Sequence, residues 1–185
     1  MKTEKVKLNL GCGKDIREDY INVDKCKYKG IDKVWDLDVY PYPFEDNSAD
    51  EIIIFNCLEH LKDWQKAFKE MVRILKKGGK LHIKVPHFSA PHSNSEFHIT
   101  RFYWHSFSMK RFYQSKVTAL ENAELYGDMK LVSKHLNFTK GLLFWNYLVE
   151  PLINLNWFIP VFYEHTCLCY LLPAEELEFK MVKVK

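Results

Sequence analysis

The sequence has no apolar run long enough to cross a membrane. Spanning the hydrocarbon core of a bilayer takes roughly 18–20 consecutive apolar residues. The nearest candidate, residues 141–172, is interrupted by Glu150, Pro151, Asn154, Asn156, Pro160, Glu164 and His165. The charged N-terminal residues lead straight into an apolar strand and show no signal-peptide pattern. We therefore expect neither a transmembrane segment nor a secretion signal.

The sequence also lacks paired cysteines and a strong charge of one sign. Its five cysteines, at positions 12, 26, 57, 167 and 169, form no CxxC pair and no disulfide framework. This usage predicts reduced thiols in a cytoplasmic protein. The formal net charge is +3, and the basic residues form no long run. That balance argues against a nucleic-acid partner, while it leaves room for a weakly basic face toward an anionic substrate.

What the sequence does contain fits one α/β domain. It has 185 residues, of which 47% are hydrophobic, so a single core can be buried. Helical spacing of apolar residues predicts a helix over 63–76, ended by two lysines and two glycines. Period-two or continuous apolar runs predict strands at 6–10, 21–24, 33–37, 51–55, 80–85, 129–135 and 178–185. Alternating strands and helices indicate a parallel sheet covered by helices.

Residues suited to a nucleotide-like ligand follow four of these strands. They are the glycine turn 11–13, Asp24, either Asp36 or Asp38, and Asn56. Ligands of open α/β sheets bind at the carboxyl ends of the strands, where glycines permit close approach and an acid can accept from ribose hydroxyls. Each signal alone is also explained by an ordinary turn. Their order along the chain is what indicates a site.

In that order, the segments resemble the class I S-adenosylmethionine-dependent methyltransferases, particularly the small type 11 branch. The matching segments are LNLGCG, INVD, DL with the later PYPF, DNSADEI, LEHL, RILKKGGKLHIKVP and PHFS with a downstream His98. The resemblance covers residues 6–115, and more loosely the last strand. It implies an α/β, Rossmann-like methyltransferase fold with a mostly parallel central sheet, flanking helices and an antiparallel C-terminal strand. Residues 1–185 would form a single domain with substrate-side insertions at about 86–115 and 139–173.

The resemblance also implies S-adenosyl-L-methionine as the cofactor and assigns residues to it. Asp24 would hold the ribose hydroxyls, Asp36 and the Leu37 backbone would contact adenine, and the glycine turn would lie against the methionine and ribose. The implied cofactor-binding residues are Asn9, Gly11, Cys12, Gly13, Asp24, Lys25, Asp36, Leu37, Asn56 and Cys57. Glu59 and His60 are expected to fix the loop rather than touch the ligand.

Three features depart from the family pattern. Asn9 stands where many relatives have an acid, and Asp15 replaces the third glycine. The first crossover is short, so its helix must be vestigial.

A dehydrogenase is disfavoured because Ile16 occupies the position where the GxGxxG fingerprint needs glycine.

The methyl acceptor should meet the segment after Val85, which carries histidines at 87, 92, 98 and 105. By resemblance, His98 is the candidate catalytic base or substrate contact; a structural histidine within a long loop is the alternative. His87, His92 and Trp104 are candidate substrate-binding residues. The histidine spacings match no metal pattern, so we expect no metal site.

Several functions remain open. The leading hypothesis is O- or N-methylation of a small molecule or glycan precursor. A catalytically silent S-adenosylmethionine-binding module, acting as a partner or regulator, is the alternative. Methylation of a nucleic-acid base is disfavoured, since FNCL stands where such enzymes carry an NPPY-type tetrapeptide. The aromatic-rich segment 141–172 could cap a pocket, form a homodimer or contact a membrane surface peripherally.

Overall fold

The computed structural model describes residues 5–107, 127–140, 144–156 and 158–185. Within these ranges seven strands form one sheet: β1 (Lys7–Leu10), β2 (Ile21–Asp24), β3 (Lys33–Val34), β4 (Ala49–Phe55), β5 (Leu75–Pro86), β6 (Met129–Asn137) and β7 (Glu176–Lys183). The helices are α1 (Trp64–Ile74), α2 (Asn146–Ile153), α3 (Phe158–Glu164) and α4 (Leu168–Leu171). Two short 3-10 turns span Leu58–His60 and Pro91–Asn94.

The strand order is β3-β2-β1-β4-β5-β7-β6. The first five strands are parallel, and β7 runs antiparallel between β5 and β6. This arrangement confirms the predicted, mostly parallel sheet with an antiparallel C-terminal strand. From β1 the chain continues to β2 and β3 on one side of β1, and it then crosses back to add β4 on the other side of β1. The point of reversal, at the carboxyl end of β1, is where open α/β sheets bind ligands.

Strands β1 and β2 are joined by only ten residues, which contain no helix. The turn is instead held by side chains: Asn9 Nδ2 donates to Asn22 Oδ1 at 3.1 Å and to the Asp15 carbonyl at 2.7 Å. Asn22 also accepts from the Arg17 backbone. The predicted vestigial crossover is therefore present, with buried amides in place of a helix.

The helix α1 covers the sheet with an apolar stripe. Asp63 caps its first turn by accepting from the Lys66 backbone at 2.9 Å, and the buried side chains are Ala67, Phe68, Met71 and Ile74. The helix ends two residues earlier than predicted, because the backbones of Asn47 and Ser48 donate to its last carbonyls. The chain enters β5 directly at Leu75, and the lysine-glycine turn becomes a bulge opposite the start of β4.

Other element ends also differ from the prediction. Strand β3 stops at Val34 because Asp36 Oδ1 accepts from the Asp38 backbone at 3.0 Å and starts a turn. Strand β7 begins at Glu176 rather than 178. The three short helices α2–α4 lie between β6 and β7, in the segment predicted as helical or looped. Residues 108–115, 141–143 and 157 of the predicted insertions lie outside the described residues. No helix in the described ranges is long and apolar enough to cross a membrane.

Candidate active site

A cavity of about 560 Å³ opens at the carboxyl ends of β1, β2 and β4. Its position is the reversal point of the strand order. It is lined by Gly11, Asp24, Lys25, Trp35, Asp36, Leu37, Asp38, Asn56, Cys57, His60, Leu61 and Phe97. Seven of the ten predicted cofactor-binding residues therefore lie on one cavity. The volume is within the range typical of small-molecule sites.

Gly11 and Cys57 meet across the floor of this cavity. Gly11 has φ of +61°, in the left-handed region, and a Cβ atom added there would lie 2.2 Å from the Cys57 Sγ. Glycine is thus required both by the backbone and by the space. Burial raises the pKa of the Cys57 thiol to about 12, so the sulfur stays protonated and packs rather than attacks.

Asp24 ends β2 with a carboxylate that the backbone holds in place. Its Oδ2 accepts from the Gly13 backbone at 2.9 Å, and its Oδ1 accepts from the Cys26 backbone at 2.9 Å. A carboxylate offers about four lone-pair directions, so each oxygen keeps capacity for a further donor. The side chain is therefore oriented in advance to receive a pair of hydroxyl groups.

The turn after β3 supplies the next wall. Asp36 bonds the Asp38 backbone, Asp38 Oδ1 accepts from the Lys62 backbone at 3.0 Å, and the Leu37 carbonyl accepts from the Tyr42 hydroxyl at 2.9 Å. Trp35 adds an aromatic face that sequence reasoning missed. Nothing in the local pattern distinguished it from a core tryptophan.

Three predicted cofactor residues do not line the cavity. Asn9 is 2% exposed and holds the first turn, as described above. Cys12 is buried, its backbone donates to the Val23 carbonyl, and burial raises the pKa of its thiol to about 11. Gly13 reaches the site only through its bond to Asp24. All three shape the loop behind the cavity.

On the opposite wall, His60 and Phe97 face the cavity. The His60 Nδ1 lies 3.0 Å from the Phe97 carbonyl, which can only accept, so this nitrogen carries the proton. The His98 ring meets the His60 ring edge to face, with centroids 4.8 Å apart. Burial, followed by the neighbouring His60, lowers the pKa of His98. His92 is exposed on the turn Pro91–Asn94.

Glu59, which precedes His60, is 1% exposed, and burial raises the pKa of its carboxyl to about 7. Its backbone carbonyl accepts from Ile99 and Thr100 at 2.7 and 3.2 Å. These two hydrogen bonds hold the LEHL turn against the loop that carries His98. The Glu59 carbonyl and the His60 contact with the Phe97 carbonyl both hold this loop, and His60 also lies on the cavity wall.

His87 and Trp104, predicted to bind substrate, are buried and do not line the cavity. His87 is 0% exposed and its Nε2 lies 3.0 Å from Glu164 Oε1, which also accepts from the Trp104 backbone. The Lys134 ammonium lies 4.1 Å from the centroid of the Trp104 ring. Burial lowers the pKa of the Lys134 ammonium to about 8. Buried polar groups need hydrogen-bond partners, and here Glu164 at the end of α3 supplies them to His87 and to the Trp104 backbone. The network therefore ties the end of α3 to the loop after β5.

Comparisons with known proteins agree with this geometry. A family model for a methyltransferase domain, Methyltransf_11, matches residues 8–83. The demethylmenaquinone methyltransferase of Staphylococcus haemolyticus is 39% identical over 69 residues, which are 36% of this chain and 29% of that protein. This chain aligns with less than a third of the length of the curated relatives that it matches.

Two solved structures share the fold. The YcgJ protein of Bacillus subtilis has a TM-score of 0.57 and 14% identity, covering 98% of this chain and 93% of that one. Phosphoethanolamine N-methyltransferase 2 of Haemonchus contortus, in complex with S-adenosyl-L-methionine, has a TM-score of 0.52 and 18% identity. It covers 100% of this chain and 50% of that one. The family match agrees with the resemblance seen in the sequence over residues 8–83, and the solved structures agree with the predicted fold.

Proposed function

We propose that this chain, which carries a class I methyltransferase domain of the type 11 kind, transfers a methyl group from S-adenosylmethionine to a small-molecule or glycan-precursor acceptor. The observation that carries the proposal is the cavity at the reversal point of the sheet, lined by the glycine, acid and amide predicted from the sequence. The matched relatives are named for small acceptors, demethylmenaquinone and phosphoethanolamine.

The residues present fit the cofactor. The pre-oriented Asp24 carboxylate would accept from both ribose hydroxyls, and Asp36 with the Leu37 backbone would contact adenine. Gly11, where any side chain would collide with Cys57, leaves room for the methionine portion to approach the backbone. When bound, the cofactor supplies a methyl group already activated by its positively charged sulfur.

The remaining contribution of the chain is positioning. Bringing an acceptor atom within reach and in line removes much of the entropic cost of a bimolecular reaction. We assign contact with the acceptor to His98 and to the exposed His92, on the side of the cavity that His60 and Phe97 line. For His87 and Trp104 burial supports a positioning role, since they hold the loop that carries these groups.

The location and contacts of the protein are also proposals. All five cysteines are free thiols, which supports the predicted cytoplasmic location. Large apolar side chains are exposed on α2–α4 and beside them, among them Phe144, Leu148, Leu155, Tyr170 and Leu171. They support the earlier alternatives of a second copy or a membrane surface as a contact, without choosing between these two.

Calorimetric titration with S-adenosylmethionine and S-adenosylhomocysteine tests the cofactor site. We expect micromolar binding that weakens at least about a hundredfold in Asp24→Ala, because two hydrogen bonds to a charged acceptor contribute about 1.5–3 kcal/mol each. Asp15→Ala is the matched control, since its carboxylate is exposed and, among the described residues, bonds the Arg17 side chain alone. Absence of binding by the unaltered protein would contradict the proposal. Binding with no methyl transfer to any acceptor would favour the silent module instead.

A further inference from the structure

Three potential metal-binding side chains converge beside the cavity. Among the described residues, Glu59, His60 and His98 place one donor atom each within 4.8 Å of one another. The first two lie on the 3-10 turn Leu58–His60, and the third lies on the loop after β5. The bonds from Ile99 and Thr100 to the Glu59 carbonyl fix the distance between these segments. The cluster is therefore set by the backbone rather than by flexible side chains alone.

His60 is oriented as a metal-binding imidazole would be. Its protonated Nδ1 faces the Phe97 carbonyl, so the lone pair is on Nε2. That Nε2 lies 4.0 Å from Glu59 Oε1, too far for a hydrogen bond. Metal-binding histidines commonly donate their second ring nitrogen to a carbonyl, which fixes the tautomer and aims the other nitrogen at the ion.

The buried carboxylate of Glu59 supports a cation site independently of the histidines. Its side chain is 2% exposed, and its Oε2 has no hydrogen-bond partner within the described ranges. A buried carboxylate oxygen without a partner is costly, and such oxygens are normally paired or bound to a cation. Neither histidine supplies a bond to it as the side chains stand.

We propose that Glu59, His60 and His98 bind one divalent transition-metal ion at the cavity wall that His60 lines. Two imidazoles and one carboxylate suit Zn²⁺, Mn²⁺, Fe²⁺ or Co²⁺ better than Mg²⁺ or Ca²⁺, which prefer oxygen ligands alone. Ligands with bonds of about 2.1 Å lie at most about 4.2 Å apart, so a small rotation of the imidazoles closes the site. This proposal replaces the expectation of no metal, which considered only the spacing of histidines after residue 81.

The ion would keep open positions toward the cavity, because His60 lies on the cavity wall. If the proposed function holds, on which this step rests, these open coordination positions would hold an oxygen of the methyl acceptor next to the cofactor. His98 then contacts the acceptor through the ion instead of acting as a base. The metal site itself does not depend on methyl transfer.

Titration of the chelator-treated protein with Co²⁺, followed by visible absorption and calorimetry, tests the site without cofactor or acceptor. We expect one ion per chain, with absorption bands of nitrogen and oxygen coordination. His60→Ala and His98→Ala should each weaken binding at least about tenfold. His135→Ala is the matched control and should bind as tightly as the unaltered protein: it removes an imidazole that is 40% exposed beside a carboxylate, against 43% for His60.

The two histidine variants decide the test, because Glu59 is buried and its replacement also perturbs folding. Absence of Co²⁺ binding, or binding that survives both His60→Ala and His98→Ala, would overturn the proposal. S-adenosylmethionine titration on the same samples separates the outcomes. Cofactor binding without metal binding overturns only the metal site, and metal binding without cofactor binding overturns only the methyltransferase proposal.

Discussion

Replacing Gly11 with alanine tests whether the floor of the cavity is as tight as the structure indicates. Gly11 and Gly13 both have positive φ, +61° and +51°. A side chain in this left-handed region costs about 1–2 kcal/mol at either position. At Gly13 a new Cβ atom meets nothing within 4 Å, whereas at Gly11 it meets Cys57 Sγ at 2.2 Å and Cys57 Cβ at 2.8 Å.

The difference between the two variants therefore isolates the collision. Overpacking a close-packed site typically costs about 1–3 kcal/mol. We expect Gly13→Ala to lose about 1–2 kcal/mol of unfolding free energy and Gly11→Ala to lose about 1–3 kcal/mol more. Gly11→Ala should also weaken S-adenosylmethionine binding, because Cys57 must move into the cavity or the turn must shift.

Urea unfolding of both variants, with and without Cys57→Ala, measures these terms. Cys57→Ala removes the sulfur, so it should restore part of the stability of Gly11→Ala and none of the stability of Gly13→Ala. The remaining 2.8 Å approach to the Cys57 Cβ prevents full recovery. Equal losses for the two glycine variants, or no recovery on removal of the sulfur, would refute the reasoning.

Two further predictions concern the buried network formed by His87, Trp104, Lys134 and Glu164. Glu164→Ala leaves His87 and the Trp104 backbone without their acceptor, so we expect a loss of about 2–6 kcal/mol in urea unfolding, at about 1–3 kcal/mol per buried group. Exposed Glu96→Ala is its control, and a similar small loss in both would contradict the network's role. Lys134 has its pKa lowered to about 8 from 10.5, so the unfolded chain binds more protons between these values and stability should rise with pH there. Lys134→Met should remove that rise; parallel pH curves for the variant and the unaltered protein would contradict this.

The cofactor side of the cavity was predictable because its residues stand directly after strands. The carboxyl ends of neighbouring parallel strands must meet, so Gly11, Asp24 and Asn56 could be placed together from sequence order alone. Asn9 and Cys12 were assigned to the ligand by resemblance, whereas in the structure both side chains are buried and Asn9 holds the first turn. The length of β3 was overestimated because the Asp36 turn competes locally with the strand.

The acceptor side could not be predicted in the same way. His87 and Trp104 find their common partner Glu164, 77 and 60 residues further along the chain, and no local pattern encodes that contact. The pairing of His60 with His98 depends on a loop clamped by backbone hydrogen bonds, which the sequence does not reveal. Histidine spacing was therefore a poor guide to what the histidines surround.

The placement of β7 between β5 and β6 has a consequence for how the chain is made. Strand β5 pairs with β7, and Lys80 lies opposite Val182, about a hundred residues further along the chain. Contacts between residues so far apart in sequence form slowly during folding. Strand β6 bonds only β7 within the described sheet. As the polypeptide emerges from the ribosome, the parallel half can assemble early, while one flank of β5 stays open until β7 has been synthesised. That flank of the nascent chain is therefore exposed to mispairing and is a surface that chaperones can protect.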